Sequence, residues 1–158
     1  MTSGVRFHIP KDDAFDAEDY ALIPFELGDI QGAIQEAQTI LELKDDWDGE
    51  GSLGYAASTL KRASDFVLDN ALELWRSQRL HIPAPVIGPG PAGSIDIHWQ
   101  LATRTLLVNV PVDVDKPATF YGSDRINRDK SACNVIEGFL DTSVQNQWLL
   151  IRLLDVSS

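Results

Sequence analysis

Apolar residues recur every three or four positions from Ile30 onward, the spacing of one face of an α-helix. Asp29 directly precedes this stripe and is a suitable N-cap, since a carboxylate there accepts hydrogen bonds from backbone N–H groups that lack a helical partner. The stripe predicts a helix of about four turns. Its members are Ile30, Ala33, Ile34, Ala37, Ile40 and Leu41.

A second stripe begins at Ala56 and stops as Pro83 and Pro85 approach, because proline disfavours helix in the residue before it. Its members are Ala56, Leu60, Ala63, Val67, Ala71 and Leu74. The connection between the two segments is short, so they are predicted to form an antiparallel helical hairpin.

After Pro85 the period changes to two, which predicts strands with one buried face. A tight turn is expected near residues 102–104, closing a hairpin between the first two strands. The four expected strands are 95–99, 106–110, 118–121 and 135–140.

The apolar tail 144–154 favours a C-terminal helix with Thr142 and Gln145 as a capping box, and a short strand is the alternative. Runs of helix followed by runs of strand are typical of an α+β fold. We therefore expect one domain over residues 1–158, with the helical hairpin packed on an antiparallel sheet of about four strands. Residues 1–28 are expected to form an irregular N-terminal arm.

Acidic side chains are concentrated in the first third of the chain. The net charge is −11, and residues 1–50, with 13 acidic and 3 basic side chains, account for −10 of it. Such a surface repels phosphate backbones and anionic membranes, so neither nucleic acid nor a membrane is an expected partner. A basic protein partner is compatible with this charge.

The apolar segments and the cysteine content of the chain limit its expected location and its redox chemistry. No run approaches the roughly 18 apolar residues of a membrane span, and the N-terminus lacks the segments of a secretory signal, so a cytoplasmic location is expected. Cys133 is the only cysteine, which excludes an internal disulfide and a multi-cysteine zinc site.

The run Gly88-Pro89-Gly90-Pro91-Ala92-Gly93 has the letters of the dinucleotide-binding motif G-x-G-x-x-G. That motif places pyrophosphate on the N-terminus of a helix, whereas here a segment with the strand pattern follows. Pro89 and Pro91 also remove two backbone donors. We interpret the run as a turn.

The acidic segment between the two helices resembles the first half of an EF-hand calcium loop. With Asp46 as position 1, Asp48 and Glu50 occupy positions 3 and 5. Position 12 is Ala57, where a calcium loop needs a bidentate carboxylate. These three acidic residues are the candidate metal ligands, but no cofactor or metal is expected.

The structural interpretation of the same segment is a turn made by Asp48-Gly49. Ser52 is expected to cap the second helix, and Trp47 to fill the core between the helices. Loss of a buried aromatic side chain of this kind costs roughly 3–5 kcal/mol.

Several short motifs follow one another over residues 40–122: a Trp-Asp-Gly turn after a helix, a long helix, a Pro-rich stretch, Gly-Ser-Ile-x-Ile-x-Trp, Leu-x-Val-x-Val and Phe-Tyr-Gly. In this order they resemble a group of small uncharacterised prokaryotic proteins. The resemblance supports the fold and implies no catalytic residues.

Asp96 and His98 share one face of a predicted strand. A carboxylate beside an imidazole can orient a general base or bind a metal, which makes them candidate catalytic residues. No nucleophile motif accompanies them, and the polar face of a half-buried strand carries hydrophilic side chains in any case.

Trp75, Arg76 and Arg79 lie at the end of the second predicted helix. A tryptophan with an exposed edge beside arginine is typical of an interaction hot spot. A helix end folded onto its own sheet is the alternative.

These observations favour a non-enzymatic acidic protein-interaction module of prokaryotic type, such as an antitoxin, immunity or accessory protein, with a homodimer also considered. The alternative is a small metal-assisted hydrolase that uses Asp96 and His98. Enzymatic activity stays an open question at this point.

Metal analysis separates the two hypotheses. The hydrolase hypothesis requires bound metal that Asp96→Asn and His98→Ala each reduce, because removal of a ligand or of its orienting partner typically weakens metal affinity about 10–100-fold. We expect instead the same low metal content in the wild type and both variants, measured by mass spectrometry of the purified proteins. A stoichiometric metal lost from both variants would contradict the interaction module.

Overall fold

The computed structural model describes residues 23–125, 133–144 and 146–154. The elements within them are α1 (Gly28–Ala37), α2 (Ala57–Gln78), β1 (Val86–Pro89), β2 (Ile95–Gln100), β3 (Arg104–Val110), β4 (Ala118–Arg125), β5 (Cys133–Leu140) and α3 (Gln147–Ile151). Helices come first and antiparallel strands follow, so the expected α+β fold is confirmed. No helix in the described part is both long and apolar enough to cross a membrane.

The strands form one antiparallel sheet in the order β1-β2-β3-β4-β5. All four expected strands are present, and the hairpin between β2 and β3 closes where the N–H of Leu101 donates to the carbonyl of Arg104 at 2.8 Å. The expected count of about four is corrected to five, because β1 was missed. This strand, Val-Ile-Gly-Pro, buries only Ile87, so no alternation of apolar residues marks it.

Alternation along the strands gives the sheet two different faces. The inner face carries the buried residues Ile95, Ile97, Trp99, Leu106, Val108 and Val110. Trp99 is 1% exposed, and its indole N–H donates to the carbonyl of Pro83 at 2.8 Å. The opposite side, called the open face below, carries half-buried or exposed side chains, among them Asp96, His98, Leu107, Tyr121 and Phe139.

Helix α2 packs against the inner face and is the most deeply buried helix. Of its 22 residues, 11 are buried, including Leu60, Phe66 and Leu74. The apolar stripe of α1 is buried as predicted, and α1 contacts both α2 and β1. The antiparallel hairpin geometry of α1 and α2 stays a prediction.

Neither of the two predicted N-caps, Asp29 and Ser52, caps its helix. A 3-10 turn over Phe25–Leu27 leads into α1, so the N-cap is Leu27, and Asp29 lies in the first turn with its Oδ1 accepting from the N–H of Ile30 at 2.9 Å. Helix α2 starts after Ala56, and Ser52 does not cap it. Residues 1–22 of the predicted arm lie outside the described part.

The C-terminal helix is shorter than predicted. It follows Asn146, so Thr142 is not its cap, and the predicted partner Gln145 lies outside the described residues. Buried Asn70 of α2 holds this junction, because its Oδ1 accepts from the N–H of Asn146 at 2.9 Å while its amide donates to the carbonyl of Phe66 at 2.8 Å.

Asp69 is a partly buried carboxyl on α2. The pKa of Asp69 is raised to about 6, mainly by burial and also by the negative charge of Asp65, while the positive charge of Lys61 opposes the shift. The unfolded-state pKa is near 3.9, so between about pH 4 and 6 the folded state binds the proton more tightly. Stability contributed by this protonated carboxyl is therefore lost as the pH rises through that window.

Asp69→Asn is expected to melt at a higher temperature than the wild type above pH 6, because the amide carries no charge to desolvate. The difference should shrink towards zero as the pH falls to about 4, as followed by circular dichroism. Asp115→Asn, in an exposed loop, controls for the general loss of one negative charge. A difference that stays constant over this range would contradict the role given to Asp69.

Candidate interaction surface

Three aspartates of the acidic loop, residues 45–52, accept hydrogen bonds from the backbone of this segment. The N–H of Gly54 donates to the carboxylate of Asp45 at 2.8 Å, and the N–H of Gly51 donates to that of Asp46 at 2.7 Å. The N–H of Glu50 donates to the carboxylate of Asp48 at 2.9 Å. The backbone is left-handed at Asp46, Gly49 and Gly51, a conformation that aspartate and glycine tolerate best. The acidic loop is therefore a preorganised turn.

Asp48 is the most heavily bonded of these carboxylates. The hydroxyl of Ser52 donates to its Oδ2, and the N–H of Glu50 donates to its Oδ1. Both bonds favour the charged form, and the pKa of Asp48 is lowered, with the Ser52 hydroxyl as the largest cause. Ser52, predicted to cap a helix, stabilises the acidic loop instead.

Two of the three predicted metal ligands, Asp46 and Asp48, use their carboxylates to bond to the backbone of the acidic loop. Asp46 and Asp48 accept from loop amides, and Glu50 is exposed. In the described part of the chain, no group of three or more His, Cys, Asp or Glu side chains is arranged to hold a metal ion. The geometry assigns Asp46 and Asp48 a role in shaping the acidic loop.

Trp47 does not fill the core, which corrects the sequence prediction. Its side chain is 40% exposed, its indole N–H donates to the carbonyl of Leu53 at 3.1 Å, and its ring lies 6.3 Å from that of Tyr55. The acidic loop closes on itself through these contacts, and this arrangement leaves much of the indole at the surface.

Further contacts attach the acidic loop to one end of the sheet. The hydroxyl of Tyr55 donates to the carbonyl of Gly90 at 2.8 Å. Burial raises the pKa of Tyr55, and the charges of Asp48 and Asp96 add to the shift, so carboxylates from the loop and from β2 both act on this phenol. A Cβ on Gly54 would lie 2.9 Å from the carbonyl oxygen of Leu43, which favours glycine at this close approach.

The antiparallel meander brings further carboxylates to the same end, because the β1–β2 turn, the β3–β4 loop and the last residue of β5 all lie there. The acidic end of the molecule comprises Asp45, Asp46, Asp48, Glu50, Asp96, Asp113, Asp115 and Asp141. The described basic residues at this end are Lys44, Lys61, Arg62 and Lys116, and Lys61 is paired with Asp65 at 2.5 Å. The guanidinium of Arg62 donates to the backbone carbonyl of Pro111 at 2.5 Å.

Sequence reasoning missed the contribution of the second half of the chain to this surface. Asp113, Asp115 and Asp141 lie in a region of nearly balanced composition. The compensating arginines Arg76 and Arg79 lie at the opposite end of α2, in its last turn and at its C-cap. The topology of the fold therefore places these aspartates and these arginines at opposite ends of the molecule.

Exposed apolar side chains accompany the carboxylates at the acidic end. They are Trp47, Leu53, Val112 and Val114, the last of which is 71% exposed. Val112 also lies beside the β1–β2 turn: a Cβ placed on Gly93 of that turn would be 3.6 Å from the Val112 side chain. The acidic end thus combines charge with surface that gains free energy when it is covered.

Asp96 and His98 share the open face as predicted, but no described hydrogen bond joins them. Asp96 instead accepts from the amide of Asn109 at 2.8 Å, and the same amide donates to Ser94 Oγ at 2.8 Å. This small network ties β2 to β3 beside Gly90. Asn109, which sequence reasoning did not select, is its centre.

Trp75, Arg76 and Arg79 are neighbours at the end of α2, as predicted. Arg79 lies over the ring of Trp75 at 5.3 Å, and His81 meets the ring edge with 6.4 Å between centroids. His81 also lies 2.9 Å from Asp29 Oδ1. Since Trp75 packs partly against the core, these contacts cover much of its ring, while Arg76 is exposed.

No protein-family model matches the sequence. Neither a curated protein nor a solved structure shows significant similarity to it.

Trp47→Ala is expected to lower the free energy of unfolding by about 1–2 kcal/mol, because a half-exposed indole loses less packing than a core one. Trp99→Ala, which empties a fully buried site, is the matched comparison and should cost roughly 3–5 kcal/mol. Urea denaturation measures both values. Equal losses for the two variants would show that Trp47 belongs to the core after all.

Proposed function

We propose that this chain is a non-enzymatic, cytoplasmic protein-interaction module of prokaryotic type that binds a basic protein through its acidic end. An antitoxin, an immunity protein or an accessory subunit would act in this way. The observation that carries the proposal is the convergence of eight carboxylates from separate segments on one end of the molecule, against four basic side chains, of which Lys61 is paired with Asp65.

Electrostatics supports a basic partner. Like charges gathered on one surface repel each other, and a surface of opposite sign relieves that repulsion when it docks. The field of such a patch also steers a basic partner towards it and raises the association rate. Nucleic acid and anionic lipid carry the wrong sign for this surface.

Preorganisation supports a binding role for the acidic loop in particular. Its conformation is set before any partner arrives by the bonds of Asp45, Asp46 and Asp48 to backbone amides. A rigid loop loses little conformational entropy on binding. The exposed indole of Trp47 beside these charges supplies the apolar contact that an interface centre requires.

Reversal of charge at two positions tests the proposal. Glu50 and Asp115 are exposed at the acidic end, and no described hydrogen bond uses either side chain, so Glu50→Lys/Asp115→Lys should leave the fold intact. We expect the affinity for a partner captured from the source cells to fall at least about tenfold at 0.15 M salt, measured by calorimetry.

Glu26→Lys/Glu36→Lys is the matched control, because it changes the net charge equally at exposed positions of the α1 region. It should keep close to wild-type affinity, and the wild-type complex should weaken as salt is raised. Absence of any stable partner, or equal loss in both double variants, would refute the proposed role of the acidic end.

A further inference from the structure

A depression with a volume of about 510 Å³ lies on the open face, over β3, β4 and β5. This volume is in the range of roughly 300–1,000 Å³ that is typical of ligand sites in proteins. None of its lining residues belongs to the acidic end. On the open face it is lined by Leu107, Asn109, Thr119, Tyr121, Glu137 and Phe139, all in the described part of the chain.

The strand register places two aromatic side chains on opposite corners of the depression. Tyr121 pairs with Glu137, and Thr119 pairs with Phe139, so Tyr121 and Phe139 are diagonal neighbours across β4 and β5. Diagonal neighbours of an antiparallel pair are roughly 7–8 Å apart. Tyr121 is 47% exposed and Phe139 is 74% exposed, so both rings are accessible from solvent.

The spacing of these two positions suits one planar group between the rings. Carbon atoms in contact are about 3.5–4.0 Å apart, so a plane that touches a ring on each side needs rings about 7–8 Å apart. The guanidinium of arginine is planar and stacks on aromatic faces. The compact ammonium of lysine has no flat face to place against either ring.

The charge of the depression favours a cation. Of the described residues that line it, Glu137 is the only charged one, and its side chain is exposed. Glu137 lies opposite Tyr121 and two residues before Phe139 on the same face. A carboxylate accepts two parallel N–H bonds from one guanidinium, and aromatic faces attract the same cation.

Asn109 and Thr119 add neutral oxygen acceptors. The amide nitrogen of Asn109 donates to Asp96 and to Ser94 Oγ, each at 2.8 Å. A carboxylate only accepts, so nitrogen is the atom of Asn109 that faces Asp96, and Oδ1 is the other terminal atom. No described hydrogen bond uses this oxygen. A guanidinium has five N–H groups, so it can use these acceptors as well as a carboxylate.

We propose that this depression binds an arginine side chain of the basic partner protein, with the guanidinium between Tyr121 and Phe139 and Glu137 as its counter-ion. That the arginine belongs to a protein rests on the proposed function, whereas the guanidinium site rests on the lining residues. The depression borders the acidic end, because Phe139 is two residues before Asp141 in the chain. Arginine is enriched among the residues that dominate binding energy at interfaces.

Titration of the full chain with small probes, followed by NMR of its backbone amides, tests the site without a partner. N-acetylarginine amide should bind with a dissociation constant in the millimolar range, on the order of a single stacked ion pair. The shifts should be concentrated at residues 119, 121, 137 and 139. The lysine probe, which lacks the plane, and the citrulline probe, which lacks the charge, should each bind at least about threefold more weakly.

Glu137→Gln and Phe139→Ala should each weaken binding of the arginine probe at least about fivefold, whereas Phe139→Tyr should keep it. Val135→Ala is the matched control, because Val135 is exposed on the same strand and face but does not line the depression. The amide spectrum of each variant checks that it folds. Equal binding of the three probes, no binding up to about 50 mM, or shifts confined to the acidic end would overturn the proposal.

Glu50→Lys/Asp115→Lys separates this site from the acidic end. Neither residue lines the depression, so the double variant should bind the arginine probe within about twofold of the wild type at 0.15 M salt. If a partner binds the acidic end but the probe does not bind, only the arginine site fails. If the probe binds as expected but the source cells contain no stable partner, the proposed function fails and the guanidinium site stands.

Discussion

Burial of α2 against the inner face of the sheet is the interaction on which the rest of the structure depends. Hydrophobic burial is the dominant favourable contribution to folding, and half of this helix is removed from solvent. The other elements are positioned from it: Arg62 near its start bonds to the β3–β4 loop, and Asn70 in its middle holds the start of α3. Tyr55, just before it, bonds to the β1–β2 turn.

The same helix makes a concentrated acidic surface compatible with stability. The N-terminus of α2 lies at the acidic end, where the unpaired N–H groups of a helix carry partial positive charge. Backbone amides of the acidic loop do the same locally, because they donate to Asp45, Asp46 and Asp48. Negative charge is thus stabilised from within the protein while much of it stays accessible outside.

Local pattern was enough to place most elements. Period-two alternation identified β2 and β3, and the stripe from Leu60 to Leu74 identified α2, because each buries one face against the core. β1 escaped notice because a four-residue strand rich in glycine and proline has no periodicity to detect. The helix caps were predicted wrongly because a cap depends on side-chain bonds that the sequence leaves ambiguous: Ser52 could bond to a helix or to Asp48, and it bonds to Asp48.

The sequence by itself determined that the chain is strongly acidic, that it alternates in the manner of an α+β fold, and that the acidic loop is a turn. Only the tertiary structure decided where the charge lies, because Asp113 and Asp141 join the acidic loop through the order of the strands rather than through their position in the chain. It also decided that Trp47 faces solvent, since its partners Leu53 and Tyr55 come from the far side of the loop. The conformation of a loop depends on which of its residues contact each other, and the pattern of apolar and polar residues along the sequence does not specify those contacts.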